Sequence, residues 1–340
     1  MRVGILAITD QGRLTANRIH SALPGSKLVP SSRGVKKSIE ESWHDYDGII
    51  CVMAAGIVVR CIAKLCRSKF DDPAIVVVDE QCRFAISLLS GHIGGANRIA
   101  LLLQEHCGAQ AIVTTGSDVS GHTAVDLWAI DYGLAIANPS DLASVSTRLL
   151  NKGILSLYQD YNYLKDIPDD FEITAQKDDA DIIISVKNDI GFNCLHLVPQ
   201  VLFIGFGCRR GATVKEFQDA LDDLVTHHNI HLEAIKGVAS IDLKNDEEGL
   251  LKIAEKYDWP LKFFTKEQIN AICPSVQESK IYEKVGVYGV CEPAALLAAS
   301  RGTDPGRLII GKIKWERITA AIAAKAPCML SVPVRDHLIT

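Results

Sequence analysis

The chain has 340 residues, enough for two or three domains with separate cores. Apolar residues make up 48% and charged residues 23%, and the formal net charge is -5. That is an ordinary globular composition; it excludes the basic field of a nucleic-acid binder, and apolar runs such as "AIVVV" are too short to span a bilayer.

The first part alternates strands and helices. "MRVGILAI" reads as a strand rather than a signal peptide, which implies a cytoplasmic protein. "TANRIHSAL" is a helix, "YDGIICVM" a strand, "AAGIVVRCIAKLC" a helix and "AIVVVDE" a strand. "FAISLLS" is apolar and runs into a glycine turn. "GGANRIALLLQEHCG" is a helix ending at a C-cap glycine, Gly108, and "QAIVTT" is the next strand. Short β-branched runs between helical periods give an α/β fold, a parallel sheet with helices on both faces.

From about Asn138 the texture changes. "NPSDLASVSTRLLNKG" is a helix, and residues 154–200 hold short strands such as "DIIISV" and "LHLVP" between acidic turns. From "VLFIGFG" the α/β rhythm returns. Thr213 and Glu216 form a capping box at the start of "TVKEFQDALDDLVTHHN". "CEPAALLAAS" is a later helix, and "GRLIIGKIKWERITAAIA" a strand hairpin. The expected domains are 1–138, 139–197 and 198–340, the middle one small.

The ten cysteines form no C-x-x-C pair. Most sit in apolar runs and read as reduced, buried thiols, so no metal site is expected. "HHNIH" (His227, His228, His231) reads as a helix surface near its C-terminal end. "VLFIGFGCRRG" resembles a dinucleotide fingerprint, but its third glycine is displaced by one and arginines stand where small residues belong. "GRLIIGKI" has P-loop spacing, but Ile313 replaces the magnesium-binding hydroxyl. What remains is a turn suited to a carboxylate or phosphate: Gly205, Gly207, Cys208 and Gly211, a helix N-terminus, and the forks of Arg209 and Arg210.

"LLSGHIGGAN" is the second glycine-rich turn. The N–H groups of residues 91–96, with Gly91, Gly94 and Gly95, suit an oxyanion or carboxylate nest. His92 is a candidate acid or base, and Ser90 and Asn97 flank it. Ser90 is not in a G-x-S-x-G elbow. Gly56 and Arg60 in "VMAAGIVVR", Asp79 and Glu80 in "AIVVVDE", and Thr115, Ser117 and Asp118 in "TTGSDVSGHTAVD" follow other strands. Ligands bind beyond the carboxyl ends of strands in open parallel sheets, so these loops and the "SGH" turn are expected on one rim. Glu292 opens "CEPAALLAA", as a cap first and a substrate contact second.

Taken together, "VMAAGIVVRCIA", "DPAIVVVDE", "FAISLLSGHIGGANRIA", "IGFGCRRGAT", "ASIDLKNDEEGL" and "VGVYGVCEPAALLAA" resemble the CbiG family, the cobalt-precorrin-5A hydrolases of anaerobic cobalamin biosynthesis. The resemblance runs from residue 1 to about residue 325. It implies an N-terminal three-layer α/β domain, a small central α/β domain and a C-terminal α/β domain. It implies a cobalt-corrinoid substrate edged with carboxylates. The reaction opens a δ-lactone and expels C20 with its methyl as acetaldehyde, giving cobalt-precorrin-5B. The substrate carries the cobalt, so no cofactor is expected. His92 and Asp118 are then the expected catalytic residues. The expected substrate contacts are Gly56, Arg60, Ser90, Gly91, Gly94, Gly95, Asn97, Thr115, Ser117, Gly205, Gly207, Cys208, Arg209, Arg210, Gly211 and Glu292. A homodimer and transient contacts with neighbouring pathway methyltransferases complete the expected partners; nucleic acid and membrane are not among them. The competing readings are a non-catalytic corrinoid carrier and a nucleotide-dependent enzyme.

Overall fold

The structure is a computed structural model and describes residues 1–31, 34–116, 120–188, 194–272, 282, 286–300, 302 and 306–325. The chain divides into two compact units. Among the described residues, one comprises Met1–Trp128 with Leu149–Gly153; the other comprises Ala129–Arg148 and the described residues from Ile154 to Lys325.

The first unit is built on a six-stranded sheet of order β2-β1-β3-β4-β5-β6. Its strands are β1 (Val3–Ala7), β2 (Lys27–Val29), β3 (Gly48–Val52), β4 (Ala74–Val78), β5 (Phe84–Leu89) and β6 (Gln110–Ile112). Every residue of β1, β3 and β4 is buried, as continuous apolar strands covered on both faces require. Alternate side chains feed two cores. Ile5, Ile50, Val76 and Val78 meet α1 (Asp10–Ala22) and α4 (Ala96–Cys107). Leu6, Ile49, Ile75 and Val77 meet α2 (Val35–Ser42) and α3 (Ala55–Ile62). This is the expected three-layer arrangement. Gly108 caps α4 at φ 70°.

One strand breaks the parallel pattern in a way that governs the site. β5 is antiparallel to β4, with Val78 opposite Ala85 and Ile75 opposite Leu89. Asp79 makes the reversal by accepting the N–H groups of Arg83 and Phe84 at 2.7 and 2.8 Å. β6 runs parallel to β5. The carboxyl ends of β5 and β6 therefore lie on the edge where β1, β3 and β4 begin.

The second unit carries two five-stranded sheets. The first has order β7-β11-β10-β8-β9, with β7 (Leu134–Ile136), β8 (Leu155–Gln159), β9 (Phe171–Ile173), β10 (Ile182–Ile184) and β11 (Leu195–Pro199). β7 pairs antiparallel with β11, so a strand on the N-terminal side of residue 138 belongs to this sheet. Between the units in sequence run α5 (Val125–Asp131) and α6 (Leu142–Lys152).

The last sheet has order β14-β13-β12-β16-β15. β12 (Leu202–Cys208), β13 (Ile235–Ile241) and β14 (Leu261–Phe264) are parallel. β15 (Arg307–Lys314) and β16 (Ile318–Ala324) form the expected hairpin, whose β16 arm pairs antiparallel with β12. A strand through residues 307–314 removes the P-loop reading. The helices are α7 (Val214–His227), α8 (Glu248–Lys256), α9 (Lys266–Ala271) and α10 (Cys291–Ala299). The Thr213–Glu216 capping box is present, and α9 has a second one, Thr265–Gln268. α7 ends at His227, so His231 is not on its surface; it caps a short 3₁₀ turn and packs edge-to-face on His196 at 5.6 Å. Among the described residues no helix is long and apolar enough to cross a membrane, and no cluster of His, Cys, Asp and Glu is placed to hold a metal.

Candidate active site

The turn between β5 and α4 folds on its own backbone. The N–H groups of Gly95, Ala96 and Asn97 donate to the carbonyls of His92, Ser90 and Gly91 at 2.9, 3.1 and 3.0 Å. Closing the turn uses the N–H groups of Gly95 and Ala96, so of residues 91–96, expected as an anion nest, those two donors are already taken. The glycines have identifiable causes. Gly95 sits at φ 86°, and a Cβ on Gly94 would lie 2.8 Å from the Ser90 carbonyl oxygen. A Cβ on Gly91 would lie 2.6 Å from Asn97 Oδ1. Asn97 is buried and stitches the turn to its neighbours: Ser87 Oγ donates to Oδ1 at 2.6 Å, and Nδ2 donates to Thr115 Oγ1 at 2.9 Å. Ser90, Gly91, His92, Gly94, Gly95, Asn97 and Thr115 therefore form one constellation.

His92 has a partner that the sequence did not reveal. Its Nδ1 lies 3.2 Å from Oδ1 of Asp126, on the first turn of α5, with side-chain exposures of 14% and 9%. Lys69 Nζ stands 3.5 Å from the other carboxylate oxygen, and the Leu127 N–H donates to Oδ1 at 3.0 Å. Burial pushes the Asp126 carboxyl up, but the hydrogen bond and charge of His92, the charge of Lys69 and the Leu127 N–H together hold it below the usual carboxylate range. A carboxylate beside Nδ1 orients the imidazole and stabilises its protonated form, which is what a general base needs from its partner. Asp118 and Ser117 lie outside the described residues. The acid found beside His92 is the last residue of the same stretch, "TTGSDVSGHTAVD".

The ion pair has a pH signature. A carboxyl held below its unfolded value of 3.8 contributes stability that is fully present above that value and lost as pH falls through the folded value. Tm of the parent minus Tm of Asp126→Asn is therefore expected to be positive near pH 7 and to shrink below about pH 4. A difference that does not change between pH 7 and pH 3 overturns the charged pair.

The expected single rim is corrected by the direction of β5. The "SGH" turn and Thr115 share the edge where β4 begins. Gly56 and Arg60 follow the carboxyl end of β3, and Asp79 and Glu80 that of β4, on the opposite edge. Arg60 is exposed, and its guanidinium donates to the Gly56 carbonyl at 3.1 Å. The structure does not bring Gly56 or Arg60 to His92.

The arginine turn stands at the carboxyl edge of the last sheet, where β12 and β13 end and β16 begins. It already holds an anion, and that anion is the protein's own. Glu247 is 4% exposed; its Oε1 accepts the N–H groups of Gly211 and Ala212 at 2.6 and 3.1 Å, and its Oε2 pairs with Lys244 at 3.1 Å. Arg210 is engaged too: it pairs with Asp246 and donates to the Leu243 carbonyl at 2.8 Å. Among these arginines Arg209 has the exposed guanidinium with no described side-chain partner; its backbone N–H donates to the Arg317 carbonyl at 2.9 Å. Gly205 and Gly207 owe their identity to packing. A Cβ on Gly205 would enter the Cys291 carbonyl and lie 2.6 Å from Ala295 N, and one on Gly207 would lie 2.6 Å from Thr319 Oγ1. The Cys208 thiol is pushed up to about 11, chiefly by burial, with Lys244 pulling it back in part. Glu292 Oε1 accepts the Lys312 N–H at 3.1 Å, tying α10 to β15.

Family models match in the same order as these elements. Cobalamin synthesis G N-terminal covers residues 37–118, the cobalamin biosynthesis central region covers 123–189, and cobalamin synthesis G C-terminus covers 202–323. The cobalt-precorrin-5A hydrolase of Salmonella typhimurium is 31% identical over 348 residues, 94% of this chain and 97% of that one. The chain belongs to the CbiG family. The cobalt-precorrin-5A hydrolase of Priestia megaterium is 29% identical over 311 residues, covering 86% of this chain and 82% of its own. A solved CbiG relative, a cobalamin biosynthesis protein G homolog from Sulfolobus solfataricus, aligns over 95% of this chain and 96% of its own at 25% identity with a TM-score of 0.40. The "SGH" turn falls within the N-terminal CbiG model, and Asp126 falls within the central one.

Proposed function

We propose that the protein is the hydrolase of anaerobic cobalamin biosynthesis that opens the δ-lactone of cobalt-precorrin-5A and releases the C20 unit as acetaldehyde, giving cobalt-precorrin-5B. The observation that carries the chemistry is the pairing of His92, in the glycine turn, with the buried Asp126 of α5. Lactone opening needs an activated water and donors for the developing oxyanion. His92 Nε2 takes the proton from water, and the N–H groups of residues 91–94 are assigned as donors to the developing oxyanion. After the ring opens, His92 returns the proton to the C20 oxygen. Loss of the two-carbon unit needs an electron sink, and the substrate's own cobalt macrocycle supplies it, so the reading calls on no protein cofactor. The eight described cysteines are free thiols, which supports a cytoplasmic protein.

The test is acetaldehyde release from anaerobically prepared cobalt-precorrin-5A, with lactone loss followed in parallel. Acetaldehyde in step with lactone loss supports the reading. Binding with neither change supports a corrinoid carrier instead.

Arg209 is the exposed arginine of the "GCRRG" turn with no described side-chain partner and is assigned to a substrate carboxylate. Arg209→Ala is expected to raise KM about tenfold with little change in kcat, the loss of one charge-assisted hydrogen bond realised equally in ground and transition states. An unchanged KM overturns the assignment.

A further inference from the structure

We propose that Ser90, rather than water directly, is the nucleophile of lactone opening, with His92 as its base, so that the reaction passes through an ester on the protein and the water activated by His92 enters at the second step. The inference rests on the hydrolase reading above and deepens it. Three independent features single out this serine.

Its backbone is the first. Ser90 stands at φ 54°, a left-handed conformation that non-glycine residues seldom adopt and that clusters at functional sites. Glycine is the residue such a position selects, and four glycines lie within the same 25 residues of chain that include Gly91, Gly94 and Gly95; the position nonetheless holds a side chain with a hydroxyl. The second feature is that hydroxyl. Among the described residues, Ser90 Oγ is buried without a hydrogen-bond partner, a costly state that native proteins keep for a reason. The third is location. The local path is strand β5 to Leu89, the strained serine, a glycine turn and helix α4 from Ala96. A strained serine on a strand-to-helix turn is the physical device of a nucleophile elbow, here without the G-x-S-x-G sequence. Two residues on is His92, oriented by Asp126. The Ser90 carbonyl accepts the Ala96 N–H at 3.1 Å, which holds the strained residue in place.

Gly94 lies against the Ser90 side chain, where an added Cβ would overlap Ser90 Cβ. The step therefore requires the 91–94 backbone to move so that the hydroxyl is exposed and comes within hydrogen-bond reach of His92. The chemistry then balances without any added reagent except water. Ser90 Oγ bonds to the lactone carbonyl carbon, and the bond from that carbon to the C20 oxygen breaks. The electron pair stays on the C20 oxygen, which takes the proton that His92 removed from Ser90. Water activated by His92 adds to the ester, Ser90 Oγ leaves and regains its proton, and the ring A acetate is freed as a carboxylate.

The test uses the full chain with Ser90→Ala and Ser90→Gly. Both are expected to fold with Tm no lower than the parent, because one removes an unpaired hydroxyl and the other also relieves the backbone. Both are expected to lose at least about 10³-fold in lactone opening. Acid-quenched single turnovers of the parent are expected to carry the opened macrocycle on the peptide that contains Ser90. Turnover of Ser90→Ala within threefold of the parent, or a turnover that leaves no adduct, overturns the proposal. If the parent does not open the lactone at all, the hydrolase reading fails, and the serine is tested separately with p-nitrophenyl acetate. Acetylation at Ser90 that is lost in Ser90→Ala then upholds the nucleophile, and no acetylation overturns it as well.

Discussion

Replacing His92 with Ala is expected to lower turnover of cobalt-precorrin-5A by about 10²- to 10⁴-fold, the usual contribution of a positioned acid–base group. The fold should survive. The imidazole touches a carboxylate that keeps two other partners, Lys69 at 3.5 Å and the Leu127 N–H at 3.0 Å, so its removal does not leave a buried charge alone. Its loss should therefore cost only about 1.5–3 kcal/mol, the usual worth of one hydrogen bond to a charged group. Acetaldehyde release and lactone loss should fall together, since the proton taken in the first step is the one returned to the C20 oxygen. Added imidazole should restore part of the rate in His92→Ala and none in the parent. Near-normal turnover of the variant overturns the role of His92, and equal rates in His92→Ala and Asp126→Asn with intact His92 would show that the pair acts as a unit.

The parts of this site that the sequence displays are those encoded locally. Continuous β-branched runs mark β1, β3 and β4 as doubly covered strands, a Thr and a Glu three residues on mark the start of α7, and glycines with a His mark the turn before α4. Direction is not local. "FAISLLS" reads as a strand in either sense, and only the Asp79 side chain folded back on Arg83 and Phe84 reverses it. That reversal moves the "SGH" turn away from Arg60 and toward Lys69. Pairing is not local either. Asp126 lies in a stretch that invites attention, but "AVDLWAI" reads as a helix with one acid in its first turn, and nothing in its spacing points to His92. Glu247 is one of three consecutive acids in "NDEEGL", and spacing cannot tell which of them turns inward to cap Gly211 and Ala212. The arginine turn reads as an anion site because it is one, and the anions it holds in the structure come from the chain itself: Glu247 accepts the Gly211 N–H and Asp246 pairs with Arg210, while Arg209 has no described side-chain partner.

Gly205→Ala separates the two explanations of that glycine-rich strand. A glycine kept for ligand approach can take a methyl group at the expense of affinity while the fold stands. The structure leaves no such room. α10 lies across β12, and the added Cβ would meet the Cys291 carbonyl oxygen far inside van der Waals contact and Ala295 N at 2.6 Å, both backbone atoms that no rotamer change can move. Accommodation requires α10 to lift off the sheet, and the side chains packed beneath it are small: Ala294, Ala295, Ala298 and Ala299, all at most 2% exposed. Alanines cannot reach across the gap that lifting opens, so overpacking at one atom becomes a void along the helix. The expected loss is about 3–5 kcal/mol, at the upper end for a point substitution, and Tm should fall by roughly 10 °C. Thermal unfolding of the purified variant measures it. A Tm within about 2 °C of the parent, together with weakened corrinoid binding, would return Gly205 to the substrate site; a large fall, whatever the affinity of the surviving fold, places it in the packing of α10 on β12.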